Sequence, residues 1–451
     1  MLRIEIGQGV TLSNINQKIY EKVLGDLTLK NPDYEEAKKK GRYIPVSMSK
    51  YISYWEYNEN NDSIWFPRGY LYEFKEWLKQ NKIPFKISDN TLVLKRIKIP
   101  FKGKLRKYQA EAARSIKKLP IGVLEAATGS GKTVIGINMI TERKQPTLII
   151  VHSKELLYQW QESIKKFLNY DCGLVGDGQF IIRPITVGII NSVRNKIDSL
   201  INKFGHVICD EIHKIPSSTW STTLQDFPAR YYLGLSATVY RHDGLTKIIF
   251  LNIGPKLHSV DSKMLHKIGA VLKPTVKKVP TNFRFVYRDN YSAMIKGLVN
   301  DQARNNLLIS TIYADYRKNK DNVLIISDRK EHCKLLQSML FSKGLKSELL
   351  TSSVSKKARK KIVSDLLSGK CNILIATSSL IGEGFSADSL TTLHLTTPIK
   401  AKGKVTQIVG RILRPQKGKK PRIYDYRDNE VNILRYQGFA RDKVYKELWE
   451  V

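Results

Sequence analysis

The chain has 451 residues, in which 76 Lys and Arg outnumber 41 Asp and Glu for a formal net charge of +35. So long a chain exceeds one ordinary core and calls for two or three domains, and hydrophobic residues at 42% supply material for them. Charge of this size attracts polyanions, either nucleic acid or an anionic membrane surface, and solubility alone does not account for it. The opening residues MLRIEIGQGV carry no apolar leader, and no apolar run approaches the length that spans a bilayer, so no membrane association is expected. Four cysteines (Cys172, Cys209, Cys333, Cys371) stand far apart without metal-site spacing. A reducing cytoplasm and no zinc site follow as expectations.

In chain order, Asn31-Pro32-Asp33 starts a helix that ends near Gly41 with a basic last turn, Lys38-Lys39-Lys40. Aromatic residues then crowd between Tyr43 and Trp77, interleaved with Arg42, Lys50, Arg68 and Lys75. Most of these rings read as the core of a small α+β domain; the other reading has them stacking on unpaired bases or wedging a duplex junction. Pro67-Arg68-Gly69 opens a helix, and Arg68 is the expected nucleic-acid contact of this region.

A strand over 121–125 runs into LEAATGSGKT (124–133), and an apolar helix follows from about Thr133. Gly129 and Gly131 permit a turn whose N–H groups point inward around a polyphosphate, aided by the positive end of the helix. Lys132 then reaches β/γ-phosphates and the Thr133 hydroxyl suits Mg²⁺. Ala126 stands where the usual pattern has its first glycine, and a chance Gly-rich turn is the competing reading. Short apolar strands at 121–125, 148–151, 186–190, 207–209 and 231–235 alternate with helical stretches, the rhythm of a parallel sheet covered on both faces. The strand at 207–209 ends in Asp210-Glu211-Ile212-His213, where such a sheet presents its ligands. Ser236-Ala237-Thr238 follows the strand at 231–235.

A connection is expected over 256–287. A second α/β series follows, with strands at 323–327, 348–350, 372–376, 392–395 and 423–426 and helices at 331–342, 356–367 and 405–413. Gln407 to Arg414 reads QIVGRILR; on a helix, Arg411 and Arg414 share a face and could clamp a γ-phosphate. A solvated basic helix face is the alternative.

Together these segments resemble the motifs of the superfamily 2 helicases, DExH-type branch, over roughly 105–415. The likeness is to the phage branch-migration (UvsW-like) helicases and also to the XPB group of DNA-repair helicases. The resemblance implies an α/β fold with two tandem RecA-like parallel-sheet lobes and a small α+β N-terminal accessory domain. Residues 1–95 form that accessory domain, a candidate for DNA binding; 96–265 form the first lobe, 266–290 the connection and 291–451 the second lobe. The implied cofactors are ATP and Mg²⁺, and the implied partner is DNA, branched or forked.

ATP is then held by Arg106, Gln109, Thr128, Gly129, Ser130, Gly131, Lys132, Thr133 and Gly384, with Gln109 reading the base. Catalysis falls to Lys132, Asp210, Glu211, Gln407, Arg411 and Arg414, and Mg²⁺ to Thr133 and Asp210. His213, Ser236 and Thr238 couple nucleotide state to the track. Nucleic-acid contacts are implied for Ser153 and Lys154 (in 151–160), Asn191, Ser327 and Arg329 (in 324–329), and Thr377 (in 375–386). Many relatives carry Asp where Ser386 stands. An RNA helicase of the same superfamily, a duplex translocase that separates no strands, and a non-catalytic binding protein that senses ATP are the alternatives; Glu211, Arg411 and Arg414 argue against the last.

Overall fold

The computed structural model describes residues 1–214, 218–239, 246–382, 389–399, 402–416 and 418–449. They form two compact units, the first comprising Met1–Ala127 and Gly131–Val260 and the second Asp261–Val451 together with the short segment Thr128–Ser130.

The first unit begins with a five-stranded sheet ordered Glu56–Asn58, Ser63–Phe66, Val10–Ser13, Leu2–Ile6 and Phe85–Asp89. Its pairings are antiparallel except the last. Ile19, Val23 and Leu27 of the Gln17–Leu27 helix and Phe74 and Leu78 of Leu71–Gln80 join Ile4, Leu12 and Phe66 in its core. Most of the crowded rings are therefore packing: Phe66, Tyr70 and Phe74 are buried, and Tyr54, Trp55 and Trp77 lie against them. Tyr43, Tyr51 and Tyr57 remain exposed.

Arg68 is not at the surface. Its guanidinium donates to the Ala229 carbonyl at 2.7 Å and lies 4.5 Å from the centroid of the Tyr232 ring. Both partners belong to the larger sheet's Tyr231–Ser236 strand or its approach, so Arg68 fastens the small domain rather than meeting a nucleic acid. Beside it, a Cβ on Gly69 would stand 1.9 Å from the Phe250 carbonyl oxygen, so only glycine permits this approach. The Gln145 side-chain amide exchanges hydrogen bonds with the backbone of Leu94, at 2.7 and 3.1 Å. Arg68→Ala would leave a buried carbonyl unpaired and remove a cation–π contact. It is expected to destabilise the first unit by about 2–4 kcal/mol, read as a lower urea midpoint, while the folded variant binds nucleic acid as before.

The larger sheet is ordered Gln179–Ile181, Gly173–Gly176, Ile185–Ile189, Thr147–Val151, His206–Asp210, Tyr231–Ser236, Ile121–Ala126 and Lys256–Val260. Only Gln179–Ile181 runs antiparallel to its neighbour. Central strands such as Thr147–Val151, read TLIIV, are buried at every position, as expected of a parallel sheet covered on both faces. The second unit carries a wholly parallel sheet ordered Thr275–Pro280, Arg422–Arg427, Leu390–Leu395, Asn322–Ser327, Ile373–Thr377 and Glu348–Leu350. These are the two RecA-like lobes.

The expected connection over 256–287 is largely regular structure. Lys256–Val260 is the edge strand of the first sheet and Thr275–Pro280 the edge strand of the second. Edge strands expose much of their length, and TVKKVP carries none of the apolar signature of a central strand. Among the described residues, no helix is long and apolar enough to cross a membrane.

Candidate active site

Four neighbouring strands of the first sheet, Thr147–Val151, His206–Asp210, Tyr231–Ser236 and Ile121–Ala126, end on one side. In an open parallel sheet that carboxyl edge is where ligands sit. The Ile121–Ala126 strand leads into Gly129 (φ 86°) and Gly131 (φ 79°), a region that costs other residues about 1–2 kcal/mol. Gly131 is also sterically fixed: a Cβ there would meet the Gln109 side-chain nitrogen at 2.5 Å. The helix Lys132–Arg143 starts at once, so its first N–H groups and positive dipole end face the loop. Gln109 Oε1 accepts the Arg106 N–H at 2.9 Å, which sets the amide beside this loop.

On the neighbouring strand ends the acidic pair is built with equal care. Asp210 is buried; its Oδ2 accepts the Trp160 indole N–H at 2.8 Å and its Oδ1 accepts the Glu211 N–H at 3.0 Å. Burial, and then the charge of Glu211, push the Asp210 carboxyl above the usual range, while the Lys132 ammonium opposes them. For Glu211, burial alone would also raise the carboxyl, but Lys132 and His213 together hold it low. Lys132 thus acts on both carboxylates, which joins the glycine-rich loop to the acidic strand end.

Glu211 adopts φ 55°, an uncommon conformation for a residue with a side chain. Its Oε2 lies 3.2 Å from His213 Nδ1, which is 3.5 Å from Ser236 Oγ. The Ser236 hydroxyl donates to the Thr238 carbonyl at 2.6 Å. The three expected coupling residues therefore form a chain that starts at the acidic pair.

Trp160 is a site residue that sequence reasoning missed. It is only 1% exposed, and Gly136 of the loop's helix packs over it. A tryptophan in an amphipathic helix, Lys154–Leu168, reads as core, and nothing local marks its partner. Trp160→Phe should keep the fold while freeing Asp210, and ligand-orienting bonds of this kind are worth about 10–100-fold in metal affinity. The expected result is a raised Mg²⁺ requirement for ATP turnover, measured by titrating Mg²⁺ at saturating ATP.

The expected nucleic-acid residues divide. Ser153 caps the Lys154–Leu168 helix through the Leu156 N–H, Lys154 pairs with Asp177, and Asn191 is exposed. They follow the adjacent strands Thr147–Val151 and Ile185–Ile189, on the same edge as the loop. In the second unit Arg329 is exposed, but Ser327 is fully buried. The Ser327 hydroxyl lies 2.9 Å from His332 Nδ1 and accepts the Arg329 N–H at 3.2 Å, so it pins a turn and is not open to a strand. Thr377 is also buried, and the Ser379 hydroxyl lies 3.5 Å from its own.

The helix carrying Gln407 spans Lys402–Gly410 and stops before the arginines. Arg411 lies in the closing turn, with Nε donating to the Ile381 carbonyl at 2.9 Å, and Arg414 lies beyond it. The shared helix face expected for the two is therefore absent, because Gly410 and then Pro415 favour ending the helix. Gly384 lies outside the described residues.

Residues 102–241 match the family described as "Type III restriction enzyme, res subunit", and residues 303–416 match "Helicase conserved C-terminal domain". The chain belongs to the superfamily 2 helicases. Over 199 residues this helicase is 33% identical to the DNA 3'-5' translocase XPB2 of Sulfurisphaera tokodaii, covering 44% of its own length and 45% of that protein. Over 300 residues it is 26% identical to probable helicase D10 of Escherichia phage T5, covering 66% and 65%. It thus spans about half to two thirds of these relatives. The structure of S. cerevisiae Dbp5 bound to RNA and ADP BeF3 is similar at a TM-score of 0.58 and 14% identity, over 77% of this chain and 88% of that one; what is shared is the fold. The helicase domains imply dependence on ATP and Mg²⁺. The residues fit that pair: a glycine-rich loop with a lysine for polyphosphate, and the hard oxygens of Thr133 and Asp210 for the cation.

Proposed function

We propose that the chain is an ATP-driven motor on nucleic acid whose preferred track is branched DNA, forks and four-way junctions. The observation that carries the motor reading is a glycine-rich loop opening the Lys132–Arg143 helix and a buried Asp210–Glu211 pair at the same sheet edge, continued through His213 to Ser236. Thr128, Gly129, Ser130 and Gly131 cradle the phosphates, Lys132 neutralises the β/γ-oxygens, and Gln109 with Arg106 receives the base. Thr133 and Asp210 hold Mg²⁺, which when bound draws charge from the phosphate oxygens. Glu211, kept ionised, takes the proton of the attacking water as the γ-phosphorus leaves the β–γ bridging oxygen. Arg411 and Arg414, with Gln407, meet the charge that builds on the transferred group.

A change at the γ-phosphate alters the Glu211–His213 contact, and Ser236 and Thr238 pass it to loops that touch the track at Ser153, Lys154 and Asn191. Arg329 is the matching contact of the second lobe. Residues 1–95 act as an accessory domain carried by the first lobe. Work in a reducing cytoplasm suits the four buried thiols. DNA is favoured over RNA by the identity to a protein named as a DNA translocase. The deciding experiment compares ATPase stimulation by single strands, duplex, forked DNA, four-way junctions and RNA. A junction or fork is expected to stimulate most; equal stimulation by RNA would overturn the DNA assignment.

A further inference from the structure

We infer that Tyr436 and Phe439, at the start of the last helix, form a base-stacking platform for a nucleic-acid strand crossing the second unit, an inference that rests on the motor reading above. The helix Asn432–Trp449 begins just past the carboxyl end of the Arg422–Arg427 strand, on the sheet edge that also carries Arg329. The sheet order puts that strand two places from Asn322–Ser327, about 10 Å at the usual spacing of strands. A single strand laid along the edge would therefore meet both Arg329 and the aromatic pair.

The pair is not spent on packing. Tyr436 is 65% and Phe439 57% exposed, three residues apart on one helix face, with ring centroids 6.3 Å apart in edge-to-face contact. The other face of the helix does the holding: Leu434, Gln437, Arg441 and Tyr445 are buried, and Arg441 and Tyr445 both bond to Asp425. A cation flanks the rings: the Arg435 guanidinium lies 6.0 Å from the Tyr436 centroid. Arg284, which follows the neighbouring Thr275–Pro280 strand, is 82% exposed and lies 3.8 Å from the Glu430 carboxylate. Tyr291 adds a third, partly exposed ring whose hydroxyl lies 3.4 Å from Gln437 Oε1. Exposed rings beside guanidiniums suit the flat faces of bases and the phosphates that accompany them. A partner protein would call for a wider apolar patch than these three rings provide.

The test uses the full chain and a fluorescent single-stranded oligothymidylate, with anisotropy read at fixed salt without nucleotide. Tyr436→Ala/Phe439→Ala is expected to weaken binding by about tenfold or more, the scale of lost base–aromatic stacking, with basal ATPase unchanged. Tyr436→Leu/Phe439→Leu keeps apolar bulk without ring faces, and it should weaken binding as much. A bromodeoxyuridine strand should photocross-link to the peptide containing Tyr436. Wild-type affinity in the leucine variant would overturn the platform. So would loss of self-association in both variants with strand binding intact, which would make the occupant a second copy of the chain. Failure of the wild-type chain to bind the strand at all would instead remove the motor reading.

Discussion

Lys132→Ala is expected to abolish measurable ATP turnover, a loss of at least ~100-fold or about 3 kcal/mol of barrier, while DNA affinity without nucleotide stays near the wild-type value. Two losses combine. The phosphates lose their nearest cation, and Asp210 and Glu211 lose the charge that favours their ionised forms. Without Lys132, Glu211 binds a proton at higher pH than before, so residual activity should fall away sooner on acidification. A steady-state ATPase assay with and without DNA, paired with filter binding, separates chemistry from track affinity. Undiminished turnover would remove the nucleotide assignment from this loop.

Arg414→Ala should bind ATP yet hydrolyse it about 10³-fold more slowly, equivalent to ~4 kcal/mol, because a guanidinium that meets the transferred phosphoryl acts chiefly in the transition state. Arg411→Ala should be similarly slow but less clean, since Arg411 also holds the Ile381 carbonyl and its loss frees the turn after the Lys402–Gly410 helix. Single-turnover hydrolysis and equilibrium binding of a fluorescent ATP analogue separate the two steps. Normal hydrolysis with weakened binding would assign Arg414 to affinity rather than to catalysis.

Both lobes were readable because their central strands are buried on two faces and need continuous apolar runs, as in Thr147–Val151 and Asn322–Ser327. The edge strands Lys256–Val260 and Thr275–Pro280 lie under no such requirement and passed for a connection. The helix ahead of Arg411 looked longer than it is, since its apolar spacing continues through Ile412 and Leu413 while the backbone turns at Gly410.

Local chemistry stands in the sequence alone: glycines where φ must be positive, a lysine where a helix begins, carboxylates where a strand ends. Such features depend on a few consecutive residues and survive in any surroundings. Burial and partnership do not. Nothing near Arg68 foretells Ala229 and Tyr232, and nothing near Trp160 foretells Asp210. Those choices were left to tertiary structure, because whether a polar group faces water or another chain segment is set by residues distant in sequence.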